Sequence, residues 1–67
     1  MELTTAILVA NGFTLSGDIY SKTVSSKTAQ VDSHFQIIYL NNAYPEITTV
    51  AEANARFATL GIDITLV

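Results

Sequence analysis

The side chains with the most chemical potential in this sequence are a single histidine and the acids around it. His34 follows Asp32 by two residues, and Asp18 and Tyr20 lie upstream in a separate apolar stretch. A carboxylate held against an imidazole supports general acid–base chemistry or a weak metal site, so the question is whether the fold brings these groups together. Other nucleophiles lack context. Ser16 and Ser33 are outside any G-x-S-x-G elbow, and the run NGFTLSG lacks the lysine and following helix of a phosphate loop. With no cysteine and one histidine, the Cys/His zinc frameworks and every disulfide scheme are excluded, and no cofactor or metal is expected.

The element that must position His34 is Ala29 to Leu40, AQVDSHFQIIYL. Its odd positions are mostly apolar and its even positions polar as far as Gln36, the period of a strand with one buried face. At about 3.4 Å per residue a straight strand of that length would reach roughly 40 Å, so a bend or bulge is expected near Ser33. Upstream, Leu3 to Ala10 is apolar and β-prone and runs into Asn11-Gly12, the strongest short signal for a type I′ hairpin. The partner strand would run from Phe13 to about Val24. A second turn centred near Ser26 then sets Leu15 opposite Ile37, Gly17 opposite Phe35 and Ser21 opposite Val31.

Downstream, Pro45 excludes Tyr44 from helix, and Thr49-Val50-Ala51-Glu52 has the spacing of a capping box. Val50, Ala53, Phe57 and Leu60 make one apolar stripe, Gly61 suits a left-handed helix stop, and Ile62 to Val67 alternates as a short strand. The expected fold is therefore α+β. It is a single β-β-β-α-β domain over residues 1–67, an antiparallel three-stranded meander plus a fourth strand, with one helix on one sheet face. The order 4-1-2-3 is favoured.

On that register the uncovered face pairs Asp18 with His34 and Tyr20 with Asp32. A catalytic reading of this polar cluster competes with a plainer one, a cross-strand ion pair on a solvated sheet that contributes about 0.2–1 kcal/mol. A bare face offers no pocket unless a second subunit closes it, so the plainer reading is preferred. The same face gathers Ile7, Val9, Ile38 and Leu40, and Val67 adds an apolar end on an edge strand. These five form the expected interaction patch, unless the loop over residues 41–47 folds back across it.

Composition agrees with association. Charged residues are 13% and hydrophobic residues 49% of the chain, and a 67-residue domain buries only about 60% of its unfolded surface, so self-association is the remaining common support. A net charge of −3, with three basic residues in all, offers no footprint for nucleic acid. No apolar run is long enough to cross a membrane, and Met1-Glu2 lacks the basic start of a signal peptide. The expected protein is non-enzymatic. It is a homo-oligomer or a subunit of a larger, phage-like assembly; the alternative is a monomeric protein-binding or inhibitor module using the same patch.

Overall fold

In the computed structural model, which describes Met1–Val67 throughout, the first apolar stretch is a helix rather than a strand, α1 (Thr5–Ala10). Its β-branched residues favour strand, but both ends carry stronger helix instructions. Thr4 caps the start by accepting a hydrogen bond from the Ile7 amide (3.3 Å), and Leu3 and Leu8, five apart, are both buried as a hydrophobic staple. Asn11-Gly12 is the stop. Gly12 is left-handed (φ 90°), its amide donates to Val9 O (3.0 Å) and the Phe13 amide donates to Leu8 O (3.0 Å), which is a Schellman motif and not a hairpin.

The strands then run β1 (Thr14–Ser16), β2 (Ile19–Val24), β3 (Lys27–Val31), β4 (Ile37–Tyr39) and β5 (Asn42–Ala43), paired antiparallel in sequence order. This five-stranded meander replaces the three strands expected, because each of the two long stretches folds back on itself. Gly17-Asp18 turns β1 into β2, with Gly17 alone left-handed (φ 63°), as a type II′ turn requires. Ser25-Ser26 (φ 52° and 68°) and Leu40-Asn41 (φ 50° and 66°) have the two positive φ values of type I′ turns. Between β3 and β4 the expected bend near Ser33 is a full reversal. Asp32 Oδ1 accepts from the amides of His34 and Gln36, both at 2.9 Å, and ties the loop from inside.

The β2–β3 register pairs Ser21 with Gln30 and Tyr20 with Val31, one residue away from the expected pairing of Ser21 with Val31. A slip of one residue exchanges the two faces, so this is a substantive correction. The inner face carries Tyr20, Lys22 and Val24 of β2, Ala29 and Val31 of β3, and Ile37 and Tyr39 of β4. Thr14, Ser16, Ile19, Ser21, Thr23, Thr28, Gln30, Ile38 and Ala43 point the other way.

The second helix, α2 (Val50–Leu60), lies where the sequence indicates, capped by Thr49 and stopped by left-handed Gly61. Its stop repeats that of α1: the Gly61 amide donates to Ala58 O (3.1 Å) and the Ile62 amide to Phe57 O (2.9 Å). The residues that close the two stops, Leu8 with Phe13 and Phe57 with Ile62, all belong to the core, and the Phe13 and Phe57 rings meet at a 30° tilt with their centres 6.4 Å apart. The twelve buried residues are all apolar and form one cluster against the inner face. Ile62–Val67 does not join the sheet as a fourth strand, although Ile62, Ile64 and Leu66 are buried as the alternation demands. The expected β-β-β-α-β order, the single helix and the 4-1-2-3 arrangement are thus replaced by two helices and a terminal strap on one face of a meander.

Two lysines join sheet to helix ends. Lys22 Nζ donates to Asn11 O (2.6 Å) and Lys27 Nζ to Gly61 O (2.7 Å), each placing a cation at the negative end of a helix. Gly12→Ala is expected to cost about 1–2 kcal/mol, the penalty of a left-handed backbone for a residue with Cβ. Its added Cβ would sit 3.6 Å from Lys22 Nζ, so there is room and conformation alone is penalised. A urea midpoint indistinguishable from that of the unaltered protein would contradict the assigned stop.

Candidate functional site

The four residues of the expected polar cluster do not converge. Asp18 occupies the β1–β2 turn, while Tyr20 faces inward between Leu15 and Val31 and packs against the core. Asp32 is committed to its own loop through the His34 and Gln36 amides, so the expected Tyr20–Asp32 and Asp18–His34 cross-strand pairs are not formed. The register slip and the reversal at residues 32–36 are the causes. His34 is exposed and borders a shallow depression of about 240 Å³ with Glu2, Leu3, Phe35, Glu46, Ile47 and Thr48. No group of three or more histidine, cysteine or acidic side chains is placed to hold a metal ion.

A second depression, about 290 Å³, lies beside it between the 45–47 segment and the outer side of α2, lined by Glu46, Glu52 and Arg56 among others. Arg56 stacks its guanidinium 5.5 Å from the centre of the Tyr44 ring. With Lys22 and Lys27 at helix ends, every basic side chain of the protein therefore has an internal partner.

Glu52 works as the capping residue. Its Oε1 accepts from the Thr48 hydroxyl (2.6 Å), the Thr49 hydroxyl (3.2 Å) and the Thr48 amide (3.3 Å), while the Glu52 amide donates to Thr49 Oγ1 (3.1 Å). The carboxylate thus returns to the Thr48 amide and to both hydroxyls ahead of the helix. The Thr48 hydroxyl first, then the Thr49 hydroxyl and the Thr48 amide, hold the Glu52 carboxyl below its ordinary range. Because the folded value is depressed, the stabilisation is present above the ordinary glutamate range and is lost as pH falls through the folded value. Glu52→Gln is therefore expected to be less stable than the unaltered protein at pH 6, with the two urea midpoints converging towards pH 2. A constant difference across that range would rule out the carboxylate as the source.

The apolar patch divides. The expected strand sets Ile7 and Val9 on one face, but residues two apart on a helix point nearly opposite ways. Ile7 accordingly packs against the core while Val9 is 57% exposed. Ile38 stands half-buried on the outer sheet face between Gln30 and Ala43, outside the core, and Leu40 follows it in an exposed turn. Val67 is exposed beside the end of α1, where Asn11 holds its main chain. No known protein family, curated protein or solved structure matches the chain.

What the geometry does assemble is the outer sheet face. Its nine positions carry no charge, and no helix packs on it because both helices belong to the core on the other side. Ile19 and Ile38 are its larger apolar side chains, and Thr23 and Thr28 share a hydroxyl–hydroxyl bond of 2.8 Å across the β2–β3 ribbon. Sequence reasoning included Ile38 and missed Ile19, whose face depended on the turn at Gly17-Asp18.

Proposed function

We propose that this is a non-enzymatic protein that works by association, with the outer face of its sheet as the contact surface, as a homo-oligomer or as a subunit of a larger, phage-like assembly. The observation that carries this reading is the absence of charge from all nine outward positions of a five-stranded sheet, together with half-buried Ile19 and Ile38. Interface centres are depleted in charged residues, and a face without charge avoids the large cost of desolvating an unpaired ion when a partner covers it. The internal engagement of Lys22, Lys27 and Arg56 favours a protein partner over nucleic acid.

A second reading, a monomeric protein-binding or inhibitor module using the same face, is favoured by one quantity. The chain exposes 4010 Å², close to the roughly 4100 Å² of a self-sufficient monomer of its mass. The two readings separate in the mass of the free protein by light scattering. Under the leading one Ile38→Glu abolishes association while the circular dichroism spectrum is unchanged, since Ile38 lies outside the core. A protein that is monomeric at high concentration and recovers a specific partner through this face would favour the second.

A further inference from the structure

The last six residues alternate in burial as a strand would, yet no strand borders them and a γ-turn at Asp63 kinks their path. Ile62, Ile64 and Leu66 are 3, 4 and 3% exposed, while Asp63, Thr65 and Val67 face solvent. Their main chain is held almost without main-chain partners. The Ile62 amide completes the α2 stop, and the Ile64 amide donates only to Ile62 O (2.9 Å). Leu66 is bracketed by one carboxamide: its amide donates to Asn54 Oδ1 (2.7 Å), and Asn54 Nδ2 donates to its carbonyl (3.1 Å). Asn11 does the same for Val67, at 3.1 and 3.2 Å. Two asparagine side chains thus stand in for a neighbouring strand. The strap begins at left-handed Gly61, whose carbonyl is gripped by Lys27.

We infer that Ile62–Val67 exchanges between copies of this chain, the strap of one molecule seating its three apolar side chains and its Leu66–Val67 main chain in the groove of a second. The occupant is fixed by the groove itself, which already fits this segment. Every contact beyond the hinge re-forms unchanged in the exchanged pair, so only hinge geometry and the cost of association decide the balance. The hinge costs the closed form nothing as long as residue 61 is glycine, which adopts positive φ freely, but a Cβ there would tip the balance towards opening. The closed form needs Gly61 left-handed, whereas a chain leaving α2 towards a neighbour does not. This surface is separate from the outer sheet face, so neither inference requires the other.

The experiment mixes ¹⁵N-labelled and unlabelled chains at millimolar concentration, warms them to the unfolding midpoint, cools them, and isolates any dimer by size exclusion. In that dimer, an isotope-filtered nuclear Overhauser spectrum is expected to connect the Leu66 amide of one chain with the Asn54 side chain of the other. Gly61→Ala, which strains the closed form, is expected to raise the dimer fraction on the order of tenfold, and Ile38→Glu to leave it intact. Asn54→Ala weakens closed and exchanged forms alike, so it is expected to speed exchange without shifting the balance. A chain that returns entirely to monomer, with Gly61→Ala monomeric as well, would overturn the inference. So would a dimer whose Leu66–Asn54 connection lies within one chain.

Discussion

Phe57→Ala is expected to leave the protein largely unfolded at room temperature. The ring is fully buried, lies tilted against Phe13 with centres 6.4 Å apart and belongs to the cluster that joins α2 to the inner sheet face. Truncating a buried phenylalanine costs about 3–5 kcal/mol through lost transfer energy and the cavity left behind. At about 0.05–0.15 kcal/mol per residue, a domain of this length holds roughly 3–10 kcal/mol in all. The loss is therefore comparable with the whole. Circular dichroism in a urea series is the check, with half-exposed Leu15→Ala as a control expected to change stability by no more than about 0.5 kcal/mol. A cooperative Phe57→Ala transition within 1 kcal/mol of the unaltered protein would place the core elsewhere.

The second large effect is expected at a polar residue. Asn54→Ala removes the only partners of the Leu66 amide and carbonyl, in a setting where Leu66 itself is 3% exposed. A buried main-chain group left without a partner costs about 1–3 kcal/mol. With about 4–8 °C per kcal/mol for a domain of this size, the melting temperature should drop by on the order of 10 °C. Hydrogen exchange gives the signature that a general destabilisation would not: protection of the Leu66 amide is lost selectively, ahead of amides in β2 and β3. Uniform loss across the protein would show that Asn54 matters only through packing on α2.

How much of this was legible in the sequence can be judged at particular residues. The second helix was readable because Thr49, Glu52 and Gly61 mark its ends and Val50, Ala53, Phe57 and Leu60 mark one side. The first was missed because its interior, TAILVA, contains strand-forming residues, and six positions are too few for a 3.6-residue period to declare itself. A signal was nevertheless present. LVANGF and FATLGI share one pattern: an apolar residue, three intervening residues, glycine and a second apolar residue, the spacing that closes a Schellman motif. Comparing the two would have turned Asn11-Gly12 from hairpin to helix stop.

The turns were harder. Ser25-Ser26 and Leu40-Asn41 adopt positive φ without the glycine that normally advertises it, while Gly17, which does, falls inside an expected strand opposite Phe35. Placing the second turn at Ser26 rather than between Ser25 and Ser26 moved the register by one residue, and with it the side of the sheet on which Tyr20 and Ser21 lie. The polar cluster depends on that register and comes apart with it, whereas the apolar patch divides because Ile7 and Val9 lie on a helix. Ile38 stayed outside the core in either arrangement. The alternation of Ile62, Ile64 and Leu66 matches their burial on one side, but no strand forms there, because alternation reports burial and not pairing. Nothing in it reveals that Asn11 and Asn54 take the place of a strand.

The most direct measurement of the association surface is a dilution series of amide chemical shifts from millimolar to micromolar concentration. The proposed contact face predicts concentration-dependent shifts concentrated at Ile19, Ser21, Thr23, Thr28, Gln30 and Ile38, abolished by Ile38→Glu. Shifts that stay constant across the series, or that cluster instead around Val9 and Val67 at the end of α1, would contradict it.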